Sequence, residues 1–266
     1  MAVRLLLDPG GTRLKFGLAE GGHITAAGSI PWSAMADSRK LDWSGAEFPD
    51  WMMAEAVHPE AWVIDRPPPP AAGEGWKARF TASSAGRLTQ ISTLDVVGNA
   101  GFKIGYTKGH PGADRIAAAI ACHRQDPDAS FIIIDAGTCI TVDLLSPGLW
   151  RGGAILPGLG LQASSMERAG LPVITSDAAG IWEVDTGPEG ALGTSTDGAL
   201  RAGIPWATRQ AVKAVVRALM ELDSRAGVVV TGGDAEHFDG LGGWRTFADP
   251  NLVLNGTARL LNALTA

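Results

Sequence analysis

Two short turns, each at the end of an apolar run, hold the residue types that phosphate chemistry needs. Leu5-Leu6-Leu7-Asp8 leads into Pro9-Gly10-Gly11-Thr12, and Ile132-Ile133-Ile134-Asp135 leads into Ala136-Gly137-Thr138. Glycine lets backbone N–H groups approach phosphate oxygens with no Cβ in the way, and such a turn can aim several donors at one anion. The threonine hydroxyl adds a donor. An aspartate only accepts and repels phosphate directly, so its use there is to hold a cation or a water between itself and a nucleotide. Two such turns facing each other would grip a nucleoside triphosphate from both sides. Either turn alone is also an ordinary tight turn, where Asp, Gly and Thr are common. Recurrence in matched context favours the chemical reading. Neither is a Walker loop, since no Gly-Lys-Ser/Thr is present, and no Gly-x-Gly-x-x-Gly follows the first strand.

A third feature is Gly112-Ala113-Asp114-Arg115, which opens the helical run Ile116 to His123. An acid in a first turn is favoured by the helix dipole by about 0.3–1 kcal/mol, and on composition alone that is the simpler reading of Asp114. The chemical reading is a general base that takes a proton from an alcohol during phosphoryl transfer, with Arg115 binding an anion beside it.

The elements that must position these residues follow from the apolar pattern. Val3–Leu7, Leu14–Ala19 and Ile24–Ile30 read as strands, with Gly21-Gly22 as a hairpin turn between the second and third. A helical stretch is expected near Glu47–Val57 and a short strand at Ala61–Ile64. Arg66-Pro-Pro-Pro-Pro70 and Ala71–Gly75 read as a surface loop, because prolines supply no donors. The stretch from Trp76 to Thr107 has no clear period. Pro127 bounds the helix opened by Gly112. Strands are then expected at Phe131–Asp135, Ile140–Leu145 and Arg151–Leu156, with a turn at Pro147-Gly148. Ser164, Ser165, Glu167 and Arg168 fall on a helix after Pro157-Gly158. Val212, Val215, Val216, Leu219 and Met220 have helical spacing, and Gly227–Thr231 is a last strand with a Gly232-Gly233 exit.

Strand, Asp, glycine turn, Thr, second strand, glycine turn, third strand therefore occurs twice, which reads as a duplicated α/β domain with a boundary near Ala129: residues 1–128 and 129–266. The 266 residues are enough for two domains without a metal or disulfide staple. Glycine, 35 of 266, is about twice the usual ~7%. Net charge is −6 with no basic stripe, so a nucleic-acid partner has no electrostatic footprint. Cys122 and Cys139 are isolated, which suits a reducing compartment. No run approaches the ~18 apolar residues of a membrane span, and the first apolar run is too short for a signal peptide. A cytoplasmic globular protein is expected. The five histidines are scattered, and the nine tryptophans read as core or interface anchors.

In this order along the chain, Asp8-x-Gly-x-Thr12, Gly112-Ala-Asp114-Arg115, Ile134-Asp135-Ala-Gly-Thr138, Gly152-Gly-Ala-Ile-Leu-Pro-Gly158, Leu192-Gly193-x-x-Thr196 and Thr231-Gly-Gly-Asp-Ala235 before Asn251-Leu-Val-Leu254 resemble the type III pantothenate kinases. The resemblance spans almost the whole chain except roughly Ser33–Gly101. It implies two duplicated actin-like (ribonuclease H-like) α/β domains flanking a nucleotide cleft, in the superfamily of acetate and sugar kinases, heat-shock protein 70 and actin. It further implies a homodimer, ATP as cosubstrate, Mg²⁺ and a monovalent cation (K⁺ or NH₄⁺), and phosphorylation of pantothenate to 4′-phosphopantothenate, the first step of coenzyme A synthesis.

Residue by residue, the resemblance makes Asp8, Pro9, Gly10, Gly11, Thr12, Arg13, Leu14 and Lys15 the first phosphate loop, with Asp8 a Mg²⁺ ligand. It makes Thr138 a nucleotide contact, Gly232 and Gly233 the turn beside the adenosine, and Asp135 the monovalent-cation ligand. Gly112, Ala113, Asp114 and Arg115 become the pantothenate segment, with Asp114 as the base and Thr196 and Tyr106 as further contacts. Three positions depart from the family pattern. Gly11 stands where the family usually has Asn, Tyr106 lies six rather than seven residues before Gly112, and no Lys-Asn precedes Thr196, so Thr194 competes with it. Two other readings remain at this level: a kinase for another small alcohol, and a nucleotide-binding regulator without turnover.

Overall fold

The computed structural model describes residues 3–32, 61–64, 88–174, 188–244 and 246–264. The expected helix at 47–57 and the proline-rich loop at 66–75 lie outside them. The chain forms two compact units, residues 1–127 with 251–266, and residues 128–250.

In the first unit, β1 (Arg4–Pro9), β2 (Arg13–Glu20) and β3 (His23–Pro31) form an antiparallel meander. Gly21 and Gly22 turn its second corner at φ of 58° and 84°, conformations open to glycine. β4 (Ala61–Ile64) joins β1 in parallel and β5 (Leu88–Ile91) joins β4, giving the order β3-β2-β1-β4-β5. The centre of the sheet is buried on both faces, so β1 reads as an unbroken apolar run rather than an alternating one. Beyond β5, the stretch without sequence period holds α1 (Thr93–Gly98), closed by a capping box between Ser92 and Asp95, and the two-residue strand β6 (Lys103–Ile104). Helix α2 (Ala113–Gln125) completes this segment.

The second unit repeats the plan. β7 (Phe131–Ala136), β8 (Cys139–Ser146) and β9 (Leu149–Pro157) form the meander. β10 (Gly227–Thr231) and β11 (Thr246–Ala248) add in parallel, in the order β9-β8-β7-β10-β11. These five strands of the second unit match β3-β2-β1-β4-β5 one for one. α3 (Leu159–Arg168) follows β9. α4 (Thr196–Leu222) is more than twice as long as its apolar pattern suggests, because Gly198, Gly203 and Pro205 dilute the first half. The helix runs through Pro205, whose ring is buried, and Thr208 Oγ1 donates to the Ile204 carbonyl at 2.6 Å.

The expected halving at residue 129 differs from the compact units at the C-terminus. Helix α5 (Leu252–Leu264) follows the second unit in sequence and packs in the first. The reason is local. Gly256 sits so close to α2 that a Cβ there would lie 1.7 Å from the Ala117 carbonyl oxygen, and Arg259 donates to the Ala121 carbonyl. Leu254 reaches β2 at Gly17.

A partly buried polar tie fastens the end of α4 to the second sheet. Ser130 Oγ donates to Asp223 Oδ2 at 2.5 Å and Ser146 Oγ to the same oxygen at 3.3 Å. The Ser130 bond is the main cause that holds the Asp223 carboxyl below its usual range. A depressed carboxylate stabilises the fold above its unfolded pKa and loses that contribution as pH falls through the folded value. Ser130→Ala is therefore expected to cost about 1.5–3 kcal/mol at pH 7, the range of a hydrogen bond to a charged group. The difference from wild type should shrink below about pH 4, the ordinary aspartate range; denaturant melts at pH 7 and pH 3 measure it.

Candidate active site

In the first unit, β1 delivers Asp8 as its penultimate residue, only 4% exposed and opposite Lys15 across the β1–β2 ladder. The chain then turns. Gly10 N–H donates back to the Asp8 carbonyl at 3.0 Å, and the Gly10 carbonyl accepts from Trp32 Nε1 at 2.8 Å. A Cβ on Gly10 would stand 2.9 Å from the Arg13 carbonyl oxygen, so the turn closes too tightly for a side chain. Gly11 and Thr12 form its exposed tip. Leu14 belongs to the core, and the Arg13 guanidinium is tied to Ser29 at 3.1 and 3.3 Å. Of the segment from Asp8 to Lys15, this leaves Asp8, Thr12 and Lys15 as the side chains best placed to meet a ligand.

The start of α2 is the second feature of this unit. Gly112 caps the helix without a side chain, and Asp114 folds back over it: a Cβ on Gly112 would lie 2.4 Å from Asp114 Oδ1. Ala113 is buried. Arg115 is buried as well, at 5% exposure, and its Nη1 donates to the Tyr106 hydroxyl at 2.8 Å. The guanidinium carbon also lies 5.8 Å from the centre of the Tyr106 ring, within cation–π range. The structure thus brings Tyr106 to Arg115 despite its spacing of six residues from Gly112.

In the second unit, β7 delivers Asp135, again the penultimate residue, opposite Thr141 on β8 and Thr231 on β10. The turn after it is enclosed by backbone. Gly137 N–H donates to the Cys139 carbonyl at 3.1 Å, and Gly158 N–H to the Thr138 carbonyl at 3.0 Å. A Cβ on Gly158 would lie 2.0 Å from the Gly137 oxygen, and one on Gly232, where φ is +102°, would lie 2.0 Å from the Ala136 oxygen. Thr138, Gly232 and Gly233 are therefore brought into one neighbourhood. Thr196 is the first residue of α4, where Ser195 caps the helix by accepting from Gly198 N–H at 3.0 Å. Thr194 and Thr196 are both exposed there.

Two residues of this neighbourhood belong to the Thr231–Ala235 motif but have no role of their own in the sequence reading. Asp234 N–H donates to the Ala136 carbonyl at 3.0 Å, and burial, with Glu236 adding to it, pushes the Asp234 carboxyl up to about 6. An acid directly after Gly232-Gly233, with a second two residues on, was the available signal. The Thr231 hydroxyl is fully buried and has no partner among the described residues; it opens the Thr231–Ala235 motif. Among the described residues no group of three or more His, Cys, Asp or Glu could hold a metal ion. Mg²⁺ is commonly bound through one or two carboxylates, with water and the phosphates of its ligand completing the shell. The buried acid and closed glycine turn at the end of β1 suit that arrangement.

Comparison with known proteins adds a lineage. The family model described as type III pantothenate kinase matches residues 4–218. A type III pantothenate kinase of Alkalilimnicola ehrlichii is 33% identical over 261 residues, 96% of each chain. One of Chlorobaculum tepidum is 28% identical over 269 residues, 97% of this chain and 93% of its own. Among solved structures, component A of the (R)-2-hydroxyglutaryl-CoA dehydratase of Acidaminococcus fermentans aligns with a TM-score of 0.52 at 16% identity, covering 99% and 97% of the chains. The ethanolamine utilization protein EutJ of Carboxydothermus hydrogenoformans aligns at 0.51 and 14% identity, covering 98% and 90%. These two share the fold. No helix among the described residues is long and apolar enough to cross a membrane.

The raised Asp234 carboxyl makes a test of this neighbourhood. A carboxyl raised on folding contributes stability that is complete below 3.8 and is lost as pH rises through about 6. Asp234→Asn, which cannot ionise, should melt close to wild type at pH 4 and above it at pH 8. A melting difference independent of pH would remove the burial account.

Proposed function

We propose that this chain, which belongs to the type III pantothenate kinase family, uses Asp114 as the base that activates its substrate's hydroxyl. The activity of the protein is ATP-dependent phosphorylation of pantothenate in coenzyme A biosynthesis, with pantothenate and ATP as substrates. The duplicated α/β architecture accords with the actin-like kinase fold.

The observation that carries the assignment is that the first turn of α2 folds the Asp114 carboxylate over Gly112 next to a buried arginine held by Tyr106. Arg115 supplies a fixed positive charge for the pantothenate carboxylate, and Asp114 accepts the proton of the primary hydroxyl. The hydroxyl oxygen forms the new bond to the γ-phosphorus of ATP. The bond from that phosphorus to the β,γ-bridging oxygen breaks, and ADP leaves with the electron pair. Little covalent work falls to the protein, so positioning and charge carry the rate.

On this reading the Asp8–Lys15 loop meets the ATP phosphates, with Asp8 holding Mg²⁺, while Thr138, Gly232 and Gly233 meet the nucleotide. Asp135 holds the monovalent cation, K⁺ or NH₄⁺. Thr196 is a further pantothenate contact. The cations supply neutralisation of the phosphate charge when bound. The protein works in the cytoplasm as a homodimer.

Asp114→Asn should keep the fold and ATP binding while turnover falls about 10²–10⁴-fold, the usual worth of a positioned base. Detection of 4′-phosphopantothenate by mass gives the readout, and near-normal turnover in a folded variant removes Asp114 from the mechanism. Replacing K⁺ by Na⁺ in the same assay should lower product, and Asp135→Asn should make the rate indifferent to that exchange. A variant that keeps the wild-type K⁺ dependence would exclude Asp135 as the cation ligand.

A further inference from the structure

We infer that Trp32 is the residue that sets the first phosphate loop in its anion-accepting conformation, by pinning the Gly10–Gly11 peptide so that the Gly11 N–H faces outward. The inference rests on the reading that the Asp8–Lys15 loop meets the ATP phosphates.

Trp32 is 1% exposed and belongs to the core cluster of the first sheet with Leu14 and Phe16. From that fixed post it makes two bonds to the loop. Its indole Nε1–H donates to the Gly10 carbonyl at 2.8 Å, and its backbone N–H donates to the Thr12 carbonyl at 3.1 Å. In a planar trans peptide the C=O and N–H of one unit point in opposite directions. The Gly10 carbonyl is turned toward the buried indole, so the N–H of the same peptide, that of Gly11, is turned away from it at the exposed tip.

This peptide needs a pin more than most. It lies between two glycines, which have the fewest steric barriers to rotation, so without a fixed partner it can turn over by opposite changes in ψ of Gly10 and φ of Gly11. Turned over, it would present a carbonyl oxygen where an anion has to sit. Gly11 also carries no side chain, so its backbone N–H is the only donor that position offers. Trp32 does not touch the nucleotide in this account. It is a positioning residue that acts through the Gly11 amide.

The test compares Trp32→Phe, which keeps an aromatic ring and loses the donor, with Val63→Ala, which weakens the same core cluster away from the loop. Trp32→Phe should raise the KM for ATP and the Kd for ADP about tenfold while the KM for pantothenate stays within twofold; Val63→Ala should move neither. Gly11→Pro removes the Gly11 N–H itself. It should weaken ATP to a similar degree, and Trp32→Phe should then add nothing further. If Trp32→Phe does not fold, β-(3-benzothienyl)alanine at position 32 keeps the bicyclic shape without the donor and takes its place. Nucleotide affinity unchanged in that variant while Gly11→Pro weakens ATP overturns the role of Trp32 and leaves the loop assignment standing. Affinity unchanged in Gly11→Pro overturns both together. A parallel rise of both KM values, or a rise with Val63→Ala, marks Trp32 as a core residue only.

Discussion

Backbone pressed against backbone at the ends of the first strands is the constraint on which the candidate site depends. At the end of β7, Gly158 and Gly232 bring two other segments so near that a single methyl group would stand 2.0 Å from a carbonyl oxygen. No L-residue with a side chain can replace either without moving the chain, and Gly232 also adopts a positive φ. The closeness lets three turns, after β7, after β9 and after β10, share one neighbourhood around Thr138. Asp234 is drawn into it, and its carboxyl is partly desolvated there. At the end of β1 the same principle works with a different fastening, because Gly10 is closed by the Arg13 carbonyl on one side and the Trp32 indole on the other.

The duplication explains why the two acids are so alike. Asp8 and Asp135 are each the penultimate residue of the strand that stands third among the five matching strands of its own unit, and each is followed by a short turn into an antiparallel partner. The cross-strand neighbours differ, Lys15 beside Asp8 and Thr141 beside Asp135. A lysine opposite one carboxylate and a hydroxyl opposite the other give the two copies different local charge.

Much of this was legible along the chain. Strands β1, β2, β3, β4, β7, β8, β9 and β10 announce themselves as apolar runs bounded by glycine and proline, and α2 by its acid-bearing first turn. The paired Asp turns and the Gly112–Arg115 segment could be named from residue type and order alone. Short or diluted elements were not legible. β5 and α1 lie in a stretch without period, and Gly198, Gly203 and Pro205 hide the first half of α4, since pattern reading needs a sustained apolar face.

What the sequence by itself determined is the inventory of chemistry: two acids at strand ends, glycines where backbone must approach, and a base candidate beside an arginine. These are properties of residue type and local spacing, which short-range sterics and hydrogen bonding decide. Only the tertiary structure decided who stands beside whom. α5 packs against α2 in the first unit because Gly256 admits the Ala117 backbone. Tyr106 meets Arg115, Trp32 holds the loop after Asp8, and Asp234 shifts its carboxyl through burial. Each of these depends on contacts between segments distant in sequence or on loss of water, and neither is written in local pattern.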